Sequence, residues 1–277
     1  MKYFKSLGLC LVAVFALSAL VASAAQAETS EGPLWIVGPT TRAVAGLLSG
    51  QTRAITSRTE AAPVLKGSVA SVECEKATNK GVLLGGSPGT AFVEIKFEKC
   101  FLKGKPACTA TGVNPKGAVE GEIPVNVLVI LGFPASGSRT SAVAVFAPES
   151  GENLFSEFKF GTNAECGAFK EVAIAVKAKS SKLITINGQE RDAGQIAEVG
   201  MAEGSTFVLS TPGLVSLVGL LKLPETAIKE ATIYNSKTAT YEKIEAELTG
   251  GGVLGTIKEI ATTQIETNPK EEFGWNH

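Results

Sequence analysis

Apolar and polar residues alternate along much of this chain. The clearest stretch is Thr90 to Glu98, where Ala91, Val93, Ile95 and Phe97 share one face. Glu94, Lys96 and Glu98 share the other, with Phe92 as the exception. Strand side chains point to opposite faces in turn, so this period of two predicts a half-buried strand. Val125 to Leu131 is almost continuously apolar and predicts a strand covered on both faces. Ala142 to Ala147, Leu154 to Phe160, Glu171 to Ala178 and Leu183 to Asn187 read as further strands. Between them lie turn-forming clusters: Gly85-Gly86-Ser87-Pro88-Gly89, Pro134 to Ser138, and Pro148 to Gly151. Asn187-Gly188 is a type I′ hairpin signal, because both central residues of that turn need positive φ.

Helix signals are sparse. Thr40 to Leu48 is one candidate short helix, and Pro212 to Leu221, capped by Thr211, is another, though each segment reads equally as a strand or loop. The portion 224–277 is open between two readings. Tyr241 to Leu248 contains helix formers, whereas Thr232-Ile233-Tyr234 and Thr262 to Thr267 favour strands. Gly250-Gly251-Gly252 is a turn or a joint. The expected fold class is therefore all-β: an antiparallel β-sandwich or barrel-like domain with at most one or two short helices.

The N-terminus changes where that domain is expected to work. Lys2 and Lys5 precede an apolar stretch from Leu7 to about Val21, and Ala25-Gln26-Ala27 stands before Glu28. Charge, apolar run and a small-residue A-x-A exit are the parts of a secretory signal peptide. Residues 1–27 are read as that signal and 28–277 as one secreted β-rich domain. Cys10 follows Leu9 too early in the apolar run to mark a lipid-anchor site. The run Leu214 to Leu223 is too short to span a bilayer, so no stable membrane insertion is expected after cleavage.

Charge narrows the partners. Loss of Lys2 and Lys5 from 26 basic residues leaves 24 against 27 acidic ones, a net charge of −3. A chain this balanced, without basic runs, is not expected to bind nucleic acid.

Cysteine count adds covalent constraints. Cys10 leaves with the signal, and Cys74, Cys100, Cys108 and Cys166 remain. An even number in an exported chain implies two disulfides with three possible connectivities. The turn-like Lys103-Gly104-Lys105-Pro106 favours a short Cys100–Cys108 clip, which leaves Cys74–Cys166. A four-cysteine zinc site would need paired C-x₂₋₄-C knuckles, and none is present, so no metal is expected.

Candidate chemistry is limited by two scarcities. His277 is the single histidine and Asp192 the single aspartate. Ser-His-Asp and Cys-His catalysis, zincin sites, EF-hands and aspartic dyads all lack their parts. There is no G-x-x-x-x-G-K-[ST] loop, and no cofactor is expected. Glycoside hydrolysis needs only two carboxyl groups, and Glu73, Glu94, Glu120 and Glu122 are its candidates. Glutamates in alternating strands ordinarily form the solvated face. Ser156-Glu157-Phe158-Lys159 matches S-x-x-K, with Lys237-Thr238-Ala239 a partial echo of K-T-G. That serine should begin a helix, yet Leu154 to Phe160 alternates as a strand, which puts Ser156 and Lys159 on opposite faces.

Leu34-Trp35-Ile36-Val37, Val72-Glu73-Cys74, the strand Ala91 to Cys100, Cys108 and Cys166 together resemble a group of secreted, four-cysteine, β-rich proteins from high-GC Gram-positive soil bacteria. The resemblance covers about Leu34 to Ala178. It implies a secreted β-domain and carries over no functional residue. The resulting expectation is a non-enzymatic β-domain with a binding or structural role at the cell envelope, recognising an extracellular or envelope ligand. The alternatives are a glycan-acting hydrolase using paired glutamates and a self-associating surface protein.

Overall fold

The computed structural model describes residues 32–38, 45–47, 49–113, 119–136, 139, 141–150, 153–201, 207–208, 213–216, 219–251, 254–268 and 272–276. Residues 1–27, expected from sequence to be a signal peptide, lie outside these residues. Among the described residues the strands are β1 (Leu34–Gly38), β2 (Ala45–Gly46), β3 (Thr52–Thr59), β4 (Val64–Gly67), β5 (Ser71–Leu84), β6 (Thr90–Leu102) and β7 (Lys105–Gly112). They continue with β8 (Ile123–Pro134), β9 (Ala142–Pro148), β10 (Leu154–Phe160), β11 (Ala173–Ser180), β12 (Ile184–Ile186), β13 (Gln189–Arg191) and β14 (Gln195–Met201). The last are β15 (Phe207–Val208), β16 (Gly213–Ser216), β17 (Gly219–Leu223), β18 (Glu230–Asn235), β19 (Thr240–Gly250), β20 (Gly255–Asn268) and β21 (Glu272–Asn276). A 3₁₀ helix at Ala164–Phe169, capped by the Asn163 side chain, interrupts them.

The fold is all-β, and its main sheet closes. β3, β5, β6, β8, β9, β14, β17 and β20 each pair antiparallel with the next, and β20 returns to β3. These strands follow chain order, so the ring is an up-and-down barrel. A second closed ring uses β4, β5, β6, β7, β10, β11, β19 and β20. The rings share β5, β6 and β20, which are 14, 13 and 14 residues long. β6 pairs with β8 along Thr90–Phe97 and with β7 at Phe101 and Leu102. β20 likewise changes partners on one edge, from β19 at Gly255–Ile257 to β17 at Ala261–Ile265.

Alternation explains the core. Ala91, Val93, Ile95 and Phe97 face the barrel interior, as their spacing predicts. Phe92 breaks the pattern because the outer face of β6 is covered here. It packs with Leu128 and Ile130 of β8, Val143 and Val145 of β9, and Ile184, Ile186, Ile233 and Ile244 in a second apolar cluster. The continuous run in β8 is thereby buried on both faces. Trp35 lines the interior at the end marked by Leu83 and Val129, and its Nε1 donates to Thr90 O at 2.8 Å. Near β7 and β10, Phe158, Phe160 and Phe169 stack edge to face, with centroids 5.8 and 5.5 Å apart.

Segments that the sequence left open are decided by pairing. Gly213–Ser216 and Gly219–Leu223 are strands, so the candidate helix from Pro212 to Leu221 does not form where the chain is described. Ala45–Gly46 pairs with β1, while most of Thr40 to Leu48 lies outside the described residues. Tyr241 to Leu248 is strand, because pairing with β18 and β11 overrides its helix-forming residues. The Asn187-Gly188 hairpin forms, with φ of 50° and 79° at the two residues and Ile186 opposite Gln189.

The disulfide pairing is corrected. All four cysteines are bonded, but as Cys74–Cys100 and Cys108–Cys166. Cys74 and Cys100 face each other in the β5–β6 register, with Cα atoms 4.0 Å apart. Strict alternation from Phe97 would place Cys100 on the outer face. Lys99 adopts φ 53°, and beyond it Cys100 and Leu102 are buried instead. In the β6–β7 register Phe101 lies opposite Thr109, so Cys108 is not opposite Cys100. Cys108 instead meets Cys166 in the 3₁₀ helix that packs on β7. Two such bonds form in an oxidising environment.

Non-reducing peptide mapping should recover Cys74 linked to Cys100 and Cys108 linked to Cys166. Their loops span 26 and 58 residues, which the chain-entropy relation converts to about 3.5 and about 4 kcal/mol. Denaturant unfolding of the C74S/C100S and C108S/C166S variants should show losses of that order.

Candidate functional site

Two closed rings leave an interior that side chains do not fill completely. A cavity of about 130 Å³ lies inside, lined from both rings. Ile55, Val93, Val127, Val129 and Leu221 contribute from the first, and Leu65, Phe158, Val176 and Leu248 from the second. An eight-stranded barrel has an interior that side chains either fill or leave open for one small ligand. This one is open in part. Its polar side chains are Ser57, Thr59, Asn79, Ser156, Gln195 and Thr263, and among the described residues Glu259 is the one ionisable group lining it.

Glu259 reaches the interior because of β20's alternation. Ile257, Ala261, Thr263, Ile265 and Thr267 are buried on the inward face, and Glu259 shares their parity. Among the described residues its carboxyl has neither a hydrogen-bond partner nor an opposing charge. Burial alone pushes it up from the usual carboxylate range to about 7. The Glu259 backbone is better provided for. Residues 258–260 fall between the β19 and β17 pairings on one edge of β20. There the Gln195 side chain substitutes for a strand: Nε2 donates to Glu259 O at 2.8 Å, and the Glu259 N–H donates to Gln195 Oε1 at 3.2 Å. Gln195 and Leu248 also border an open groove outside, along Lys66, Glu225 and Lys258. They therefore stand between that groove and the interior. Gly194 makes this seam tight, since a β-carbon there would lie 2.3 Å from the Phe155 ring.

Asn79 brings a second polar group without a partner to the cavity lining. Its Oδ1 is buried without a hydrogen-bond partner and opens from β5 toward the same cavity. Unpaired polar atoms are uncommon in protein interiors and cost about 1–3 kcal/mol each.

The glutamates singled out by sequence lie elsewhere. Glu94 pairs with Lys80 at 2.8 Å, Glu122 with Lys96 at 2.7 Å, and Glu73 with Lys103 at 3.6 Å. Glu120 accepts from Thr109 Oγ1 at 3.1 Å and is exposed. Glu94 and Glu122 do share an outer groove, but with Lys80 and Lys96 between the same walls. The Lys96 ammonium is held above its ordinary range by its hydrogen bond to Glu122. None of the four faces the cavity. Ser156 lines the cavity and Lys159 is exposed, on opposite faces of β10 as the alternation requires. Among the described residues no His, Cys, Asp and Glu cluster could hold a metal, and no helix is long and apolar enough to cross a membrane. The charged outer face of β5 and β6 and the apolar interior are the reverse of a barrel that faces lipid.

Sequence reasoning missed Glu259. A signal did exist: an acidic residue at the parity of Ile257, Ala261 and Ile265. Ile260, at the opposite parity, and the threonines that follow obscured which face was inward.

No protein-family model matches the chain, and neither a curated protein nor a solved structure does.

Glu259 imposes a pH dependence on stability. An unfolded glutamate titrates near 4.3, so the folded chain binds more protons than the unfolded chain across about pH 4.5 to 7. Stability must then fall as pH rises through that window. The Glu259→Gln variant should be more stable than the parent by about 3 kcal/mol above pH 7. The two should converge near pH 4, as read by denaturant midpoints at each pH.

Proposed function

We propose that this chain is an exported binding protein that holds a small, mainly apolar molecule inside its barrel, at or beyond the cell envelope. The carrying observation is the partly open interior: a cavity of about 130 Å³ walled by Val, Ile, Leu and Phe side chains. A cavity of similar size and lining accepts molecules as small as benzene, so a single ring or a short branched chain is the scale of ligand. Disulfides that tie the second ring support work in an oxidising, extracellular setting. The glutamate-pair hydrolase is the weaker reading. It needs two carboxyl groups flanking one scissile bond, and among the described residues Glu259 is the one carboxyl that lines this cavity.

Toluene is the first probe. Titrated into the ¹⁵N-labelled protein, it should shift amides of β6, β8 and β20 whose side chains line the cavity, such as Val93, Val127 and Ile265. It should also raise the unfolding free energy by about 2.7 kcal/mol at a hundredfold excess over Kd. Unchanged amides and an unchanged unfolding midpoint would defeat the binding reading.

A further inference from the structure

The cavity's polar chemistry is one-sided. Among the described residues its one ionisable group is an acid, and no Lys or Arg lines it. Among the described residues, β4, β5, β14, β17 and β19 line the same cavity with uncharged side chains: Leu65, Val72 and Cys74, Gln195, Leu221 and Leu223, and Leu248. The nearby charges Lys66, Glu225 and Lys258 border the outer groove. The second unsatisfied atom, Asn79 Oδ1, is also an acceptor.

From this arrangement, and resting on the reading that the cavity is a binding site, we infer that the ligand is a small apolar amine whose ammonium pairs with the Glu259 carboxylate.

Three chemistries compete for such a site. An apolar carboxylic acid would bring a second negative charge into a cavity with no cation, which a low-dielectric interior penalises heavily. A neutral alcohol or ketone needs only hydroxyl and amide partners, and Ser57, Thr59, Ser156, Thr263 and Asn79 already supply those. Neither explains why an acid should line an apolar interior with no partner among the described residues. An ammonium supplies the missing opposite charge, and its three donors meet a site rich in acceptors. The hydrocarbon remainder then contacts the apolar wall. A buried carboxylate with its partner supplied by the ligand also accounts for the destabilisation tolerated in the empty protein, since unsatisfied buried groups concentrate at functional sites.

Proton bookkeeping makes this testable on the unaltered protein. With Glu259 at about 7 when empty, pairing with an ammonium requires the carboxylate. Below pH 7 binding must expel one proton, so affinity should fall about tenfold per pH unit. Above pH 7 it should be level until the amine itself deprotonates.

The experiment is calorimetric titration of the full disulfide-bonded chain with benzylamine, benzyl alcohol, benzoate and toluene, which share one ring. Titrations run at pH 8 and pH 5.5, each in two buffers of different ionisation enthalpy. At pH 8 benzylamine should bind at least tenfold more tightly than benzyl alcohol. At pH 5.5 it should release close to one proton and bind at least tenfold more weakly than at pH 8. Glu259→Gln should remove the preference for the amine. Equal binding of alcohol and amine with no pH dependence, or stronger binding of benzoate, would overturn the amine assignment while leaving the cavity a binding site. Absence of binding by all four, toluene included, would overturn both.

Discussion

β20 bonds to β3, β4, β17 and β19, and both rings close through it. A sheet that ends in free edges exposes unpaired backbone groups and invites association with other chains. Closure removes those edges from the main sheet, and here one 14-residue strand closes two rings. The cost appears where its partner changes. At residues 258–260 no strand reaches one edge, and the Gln195 amide supplies the missing donor and acceptor. Glu259 sits at that gap. The place where backbone pairing is most improvised is therefore also where the one acid among the described lining residues enters the interior.

The division between inside and outside follows from the same closure. Inward residues of β5, β6 and β8 are mostly Val, Ile, Leu, Ala and Phe, with Asn79 the polar exception, while their outward neighbours include the pairs Lys76–Glu98, Lys80–Glu94 and Lys96–Glu122. Such exposed ion pairs add little to stability. They keep the outer face soluble and leave the apolar interior to hold the fold. The second cluster, over Leu128 and Ile130, thickens one wall and shields β8 from solvent on its outer side. The disulfides sit where the alternation is least regular, Cys74–Cys100 across β5 and β6 and Cys108–Cys166 between β7 and the 3₁₀ helix.

Much of this was legible in the chain, because strand periodicity is local. Leu154 to Phe160 is a strand over the full predicted span, and the strands around Ile95, Val127 and Val145 need only extension at their ends. The Asn187-Gly188 turn is equally local. Segments stayed open or were misread wherever a partner distant in sequence decided the outcome. Tyr241 to Leu248 has helix formers, but β11 and β18 pair with both its edges. Phe92 looked like a defect in an alternating strand until a covering layer from residues 184–246 accounted for it. Spacing favoured Cys100–Cys108, while register and the left-handed Lys99 chose otherwise.

By itself the sequence determined an all-β fold, the positions of its best strands and turns, and four cysteines committed to two disulfides. Those properties depend on periods of two residues, on turn chemistry and on an even count. Only the tertiary structure decided that the sheet closes into two rings, which cysteines meet, and that Glu259 faces an apolar cavity while Glu73, Glu94, Glu120 and Glu122 do not. Each of those outcomes depends on which strand lies beside which, and on which face closure turns inward. One strand's alternation is the same whether its apolar side lines an open cavity or a filled core.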